Sequence, residues 1–127
     1  MKNKSQKIKS FTDLLAWQEA HLLVLKIYLF TGKFPKSELF GITSQLRKAI
    51  TLVTANIAEG FGRYFYNDRI KFYIQTRGSI LEVENFIITA RDLKYLKTKN
   101  FDELWQQSEK VASILNGLIN STKKFIK

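Results

Sequence analysis

A chain of 127 residues with 45% apolar side chains and ten Phe holds enough material for one continuous core, and is read as one domain. The absence of cysteine excludes disulfides and thiolate metal ligation, the lone His21 excludes the common His-rich zinc sites, and one proline with six glycines leaves too little turn chemistry for a many-stranded fold. The formal net charge of +10 concentrates in residues 1–10 (Lys2, Lys4, Lys7, Lys9) and residues 63–100, each carrying +4, which suits either a polyanionic partner or plain solubility.

Residues 1–10 read as a basic flexible tail; they lead into no apolar h-region with a cleavage site, so no secretory signal is expected. The most apolar run, 22–30, is interrupted by Lys26 and falls short of the roughly 20 residues that cross a bilayer, which predicts a cytoplasmic protein without a membrane span. Residues 11–127 then show four stretches of helical periodicity and no internal repeat. The first runs from about Phe11 to Thr31, with Ser10 or Thr12 as N-cap and Gly32 as stop, and is apolar around most of its circumference. After Gly32-Lys33-Phe34-Pro35 the second runs from about Ser37 to Phe61, with Ile42, Leu46, Ala49, Ile50, Val53 and Ile57 on one stripe. Gly60 and Gly62 end it. Asn67-Asp68 look like the cap of a third helix reaching about Leu96, and Asn100 with Glu103 resembles a capping box opening the fourth. Along that helix Leu104, Ser108, Val111, Leu115, Leu118, Thr122 and Phe125 step by fours and threes, the spacing of bundle packing. Four long helices with short connections predict an all-α, antiparallel up-and-down four-helix bundle.

In the third helix Ile70, Ile74, Leu81 and Ile88 form one apolar stripe and Phe72, Ile80, Val83, Phe86 and Ile87 a second, with Arg77, Glu84 and Arg91 spaced by sevens between them. A helix apolar on two separated sides is usually packed from two sides. A subunit interface drawing on Phe72, Arg77, Val83, Glu84, Phe86 and Arg91 is therefore expected, the plainer reading being a wide core face.

No activated nucleophile with its base, no carboxylate pair in unequal environments and no metal triad stands out, so neither an enzyme nor a cofactor nor a metal is expected. His21, one turn beyond Trp17, reads as a packed, partly buried helical residue, and Glu59, Glu82 and Glu84 as partners of Lys or Arg. The stretch from Glu59 to Tyr66 superficially resembles an aromatic RNA-recognition strand, but the flanking helices contradict a strand. Its Gly60-Phe61-Gly62 closes a helix, where a phosphate-cradling turn would open one. What remains is a glycine cap and an aromatic corner. Arg63, Arg69 and Lys71 surround that corner beside Tyr64 and Tyr66, and cations interleaved with aromatics suit RNA through phosphate contacts and base stacking. On the second helix Arg47 and Lys48 point away from the apolar stripe, and in a ring of subunits such pairs would focus a positive field along the axis.

Several motifs follow in order between residues 11 and 96: Leu15-Ala16-Trp17-Gln18 with Ile27-Tyr28, Phe34-Pro35 with Glu38-Leu39-Phe40-Gly41, and Gln45-Leu46-Arg47-Lys48-Ala49. The most specific are Asn56-Ile57-Ala58-Glu59-Gly60 with Gly62-Arg63, and Gly78-Ser79 with Leu81-Glu82-Val83-Glu84. Together they resemble the family of four-helix-bundle proteins encoded in intervening sequences of bacterial 23S ribosomal RNA genes, which also takes in the accessory variability protein of diversity-generating retroelements. The resemblance implies a homopentameric barrel with a basic inner surface, no catalytic activity, and a nucleic acid or a reverse transcriptase as partner. Arg77 stands where a small residue is usual, and Ile42 and Thr51-Leu52 where Leu and a Ser-Ile pair are common, which touches packing and interface charge.

Independently of the family, Gly78 and Ser79 in mid-helix are unfavourable by propensity and predict a close neighbouring helix, while Asn56 and Glu59 read as structural, joining helix ends. The expected function is a non-enzymatic oligomeric helical protein binding RNA or DNA through Arg47, Lys48, Arg63, Arg69 and Lys71. The alternative is a protein-interaction scaffold whose charge is incidental.

Overall fold

A computed structural model describes residues 7–126, and every regular element in it is helical. Residues 1–6, most of the expected basic tail, and Lys127 lie outside the described residues. The described part of that tail is tied down at its end: the Lys9 and Ser10 amides donate to Asp13 Oδ2 at 2.9 and 3.1 Å, and the Thr12 amide donates to Ser10 Oγ at 3.3 Å. This reciprocal box caps a single 3-10 turn, Phe11–Asp13, rather than a long helix. Leu14 is extended, and the α-helix proper, α1, spans Leu15–Thr31.

The second expected helix also divides, into a 3-10 turn at Lys36–Glu38 and α2 at Ile42–Phe61. Helix α3 runs Tyr66–Asp92 and α4 Thr98–Lys123. Phe65 and Lys97 occupy the two N-cap positions without side-chain capping bonds, so neither the Asn67-Asp68 cap nor the Asn100–Glu103 box forms. Asp68 instead sits in the first turn of α3, where its charge complements the positive helix end. At the other end of α3, Lys94 adopts φ 69° and the Tyr95 and Lys94 amides donate to the Ala90 and Arg91 carbonyls at 2.8 and 3.0 Å. This is a Schellman closure with lysine in the left-handed position that usually takes glycine.

Each helix packs on its neighbours in the order α1, α2, α3, α4 and back to α1, while the backbones of the diagonal pairs, α1 with α3 and α2 with α4, stay farther apart. Side chains fix the antiparallel sense. Arg47 Nε near the start of α2 donates to Thr31 Oγ1 at the end of α1 (2.9 Å), and Tyr66 and Phe125 stack at 5.0 Å. Between α1 and α4, Glu19 pairs with Lys110 at 3.0 Å and Lys26 with Glu103 at 3.6 Å. The bundle is thus a square of four helices around one core.

Leu46, Ala49, Ile50, Val53 and Ile57 of α2 are fully buried, as are Leu104, Ser108, Val111 and Leu115 of α4, while Leu118 yields its place to Ile119 and Phe125 is exposed. In α3 the buried residues Tyr73, Thr76, Ile80, Val83, Ile87 and Ala90 step by threes and fours. The second expected stripe therefore faces the core of the protomer itself. At Gly60 α2 and α3 come close: a Cβ there would lie 2.8 Å from Tyr73 Cε1 and 2.9 Å from Phe72 Cβ. Beyond its own stretch of helix, no atom of the described residues stands within 4 Å of a Cβ built at Gly78, so the close approach expected there does not occur within the described protomer.

Candidate nucleic-acid interface

The corner between α2 and α3 is short because α2 ends abruptly. The Gly62 amide donates to the Ala58 and Glu59 carbonyls at 3.2 Å and the Arg63 amide to the Gly60 carbonyl at 3.1 Å, leaving Arg63, Tyr64 and Phe65 to turn the chain. Arg69 then holds the turn from inside α3. Its Nε donates to the Arg63 carbonyl at 2.8 Å, and its guanidinium lies 5.0 Å from the Tyr66 ring centroid and 5.4 Å from that of Phe61. Arg63 bonds Glu59 at 2.7 Å and covers the Phe72 ring at 4.6 Å, so Glu59 does join a helix end to the following turn. Tyr64 and Phe65 have no such shelter: they are 86% and 64% exposed, packed edge to face at 5.0 Å. Residues 62–66 and Arg69 enclose an open cleft of about 580 Å³.

The topology brings other cations to the same end. The start of the described chain (Lys7, Lys9), the corner (Arg63, Arg69, Lys71) and the end of α4 (Lys123, Lys124) gather there, against Asp13, Glu59 and Asp68. Arg47 and Lys48 do not join them. They sit about 20 Å away along α2, at 1.5 Å per residue. Arg47 is half-buried, bound to Thr31 and stacked on Tyr28 at 4.6 Å, so its expected outward direction is corrected: it secures the α1–α2 end, and only Lys48 of the pair is exposed.

The expected subunit face is also rearranged. Val83 is fully buried and Glu84 is 7% exposed, both inside the protomer, where no second chain reaches them. Phe86 packs partly buried against the core, Phe72 lies under Arg63, and Arg91 covers the Phe101 ring at 4.5 Å while bonding Asp92 at 3.0 Å. Arg77 alone of that set stays exposed, beside Ile74 and Leu81 of the first stripe. The broader unpartnered stripe is on α1, where Leu15, Leu22, Leu25 and Leu29 are exposed on one side. Because α1 and α3 occupy diagonal corners, neither of these outer apolar faces can cover the other within one protomer.

Glu84 does not pair with a cation as expected. Its Oε2 accepts from Ser108 Oγ at 2.9 Å, and burial, reinforced by the Glu109 carboxylate nearby and opposed by Ser108, raises its pKa to about 7. Glu19 shows the opposite shift, downward, because Lys110 and Gln107 bond its carboxylate. Asn56 and Ser79 are half-buried in their helices, Glu82 is exposed, and His21 is exposed and stacked on Trp17 at 4.7 Å rather than partly buried. Sequence reasoning missed the clamping role of Arg69, although its four-residue spacing from Phe65 places it over the turn it holds.

A family model for 23S rRNA-intervening sequence proteins matches residues 12–117. The chain belongs to this family. The family's four-helix architecture recurs in a crystal structure, at 1.70 Å, of a protein of unknown function from the S23 ribosomal protein family of Bacteroides thetaiotaomicron VPI-5482. The two align with a TM-score of 0.76 at 16% identity, over 84% of this chain and 96% of that one, a likeness of fold. No curated protein sequence matches the chain. No described helix is long and apolar enough to cross a membrane.

Proposed function

We propose that this family member is a non-enzymatic, oligomeric helical protein that binds RNA or DNA through the basic end of its bundle. The observation that carries the reading is the gathering, among the described residues, of seven cations from three separate segments at the end that bears exposed aromatic side chains, against three carboxylates. Phosphate groups release counterions on meeting such a surface, so affinity falls linearly on a log scale as salt rises, with a slope of about 0.7 to 0.9 per phosphate contact. The strongly perturbed acid, Glu84, lies inside the bundle and away from the open clefts, which supports assigning it a structural rather than a catalytic part.

Assembly follows from the two diagonal faces. If the leucines of α1 from one protomer cover Ile74 and Leu81 of the next, the contact is heterologous and an open chain of subunits keeps one free face of each kind, at its two ends, until a ring closes. A homopentamer is the ring we propose, and it would repeat the basic end around one axis and multiply its field.

The test is retention on structured RNA across a salt series, comparing the native chain with a triple variant, Lys71→Glu, Lys123→Glu and Lys124→Glu, at exposed positions. The variant should bind more weakly and with a shallower salt slope; absence of retention even at low salt defeats the nucleic-acid reading. Native mass spectrometry tests assembly, with Leu25→Glu expected to dissociate the oligomer, and a native chain that is monomeric at tens of micromolar removes the ring. A second reading, docking of a protein such as a reverse transcriptase, is favoured by Phe40, which is 92% exposed at the opposite end of α2 beside exposed Leu39 and Tyr28. That reading predicts RNA affinity unaffected by the triple substitution.

A further inference from the structure

We infer that the α2–α3 corner is a stacking site for unpaired bases, so that this protein prefers single-stranded nucleic acid to a duplex; this rests on the nucleic-acid reading above and names the form of ligand its aromatic corner takes. Tyr64 and Phe65 are adjacent in a turn only a few residues long, both exposed, with ring planes 81° apart. Neither is needed to close the core, and an L-shaped ring pair offers one surface for a base to stack on and an edge against which it stops. Behind them the site is rigid. Tyr66 is backed by Phe125 at 5.0 Å, and Arg69 is fixed by its bond to the Arg63 carbonyl and by the rings of Phe61 and Tyr66.

That arrangement separates two jobs. The Nε bond of Arg69 occupies one edge of the guanidinium, while its terminal nitrogens make no hydrogen bond to a described residue; Arg69 lines the cleft, where those nitrogens could meet a phosphate. The cleft, about 580 Å³, falls within the size range of small-ligand sites and has room for a base with its sugar. A duplex buries the faces of its bases in its own stack and shows only edges and phosphates, so it can use the cations but not the rings. A single strand uses both, and stacking is tolerant of base identity because every base has a π face.

The experiment measures fluorescence anisotropy of three labelled probes of equal phosphate number: a polyuridine strand, an abasic strand and a blunt duplex. Polyuridine should bind tightest. Tyr64→Ala combined with Phe65→Ala should weaken polyuridine binding about tenfold or more, leave the other two probes and the salt slope unchanged, and leave thermal unfolding unchanged because both rings are exposed. Tyr64→Phe with Phe65→Tyr keeps both rings and should restore affinity. Equal binding of abasic and base-bearing strands, or an unaltered affinity in the double alanine variant, overturns the inference while leaving the basic-end reading standing. A double variant whose assembled mass changes while its nucleic-acid affinity does not also overturns it, reassigning the rings to a subunit contact. If none of the probes binds at low salt, both readings fall together.

Discussion

Glu84→Gln should make the protein more stable at pH 8 and leave it unchanged at acid pH. The carboxyl is 7% exposed between α3 and α4, with Ser108 Oγ donating to it and the Glu109 carboxylate as its charged neighbour. Burial is the larger cause of its displacement from the ordinary value of 4.5 to about 7. The folded chain thus holds this proton more tightly than the unfolded one. Below about pH 4.5 both states carry it and no penalty arises. Between there and about pH 7 the unfolded carboxyl ionises first, so stability declines as pH rises, by up to about 1.4 kcal/mol per pH step. Above pH 7 the loss levels off at roughly 3 kcal/mol, the cost of carrying a buried charge without a cation. Glutamine keeps the shape, still accepts from Ser108 and never ionises. Urea unfolding at constant m-value, run from pH 4.5 to 8.5 on both proteins, reads the difference as that of the Glu84–Glu109 pair, since titrations at distant groups such as Glu19 cancel in it. A stability difference that is flat across this range, or a native protein that is the more stable of the two at pH 8, refutes the reasoning.

Lys94→Gly should raise stability by up to about 1 kcal/mol in thermal unfolding, because glycine takes the left-handed position of the Schellman closure without the strain a Cβ brings. Gly60→Ala should lower stability by about 1–3 kcal/mol, its methyl driven against Tyr73 and Phe72, whereas Gly78→Ala, facing open space in mid-helix, should raise the stability of the isolated chain by about 1 kcal/mol. Equal effects at the two glycines in calorimetry contradict the α2–α3 contact.

The four helices were legible because their apolar residues recur at helical spacing, and α2 and α4, with the cleanest stripes, are buried nearly as expected. Their starts were less legible. Ser10 caps a 3-10 turn because extended Leu14 interrupts the helix right after it, a tertiary choice that propensity does not announce. The core face of α3 was misread for a chemical reason: its centre line includes Tyr73 and Thr76, which a count of aliphatic residues passes over, although Tyr73, Ile80 and Ile87 stand seven apart on the fully buried side. Glu84 was taken for a surface partner because its burial depends on Ser108, twenty-four residues away on another helix.

The candidate site was legible in type but not in grouping. Arg63, Arg69, Lys71 and the tyrosines are consecutive or nearly so, and local sequence suffices to bring them together. Joining them to Lys7, Lys9, Lys123 and Lys124 was within reach of the predicted antiparallel order, since alternating helices bring both chain ends and the α2–α3 corner to one end of the bundle, but no local stretch of sequence shows it. The same alternation sends Arg47 to the far end, where Thr31 and Tyr28 claim it. Its apolar surface obeys the same geometry. Helices at diagonal corners cannot cover each other's outer faces, so the leucines of α1 and the Ile74–Leu81 face of α3 stay bare within one chain, and a contact between them has to join different protomers. In the contact we propose, bare Gly78 on α3 would let a second helix approach closely, which would give its unfavourable place in mid-helix a physical reason that the protomer alone does not supply.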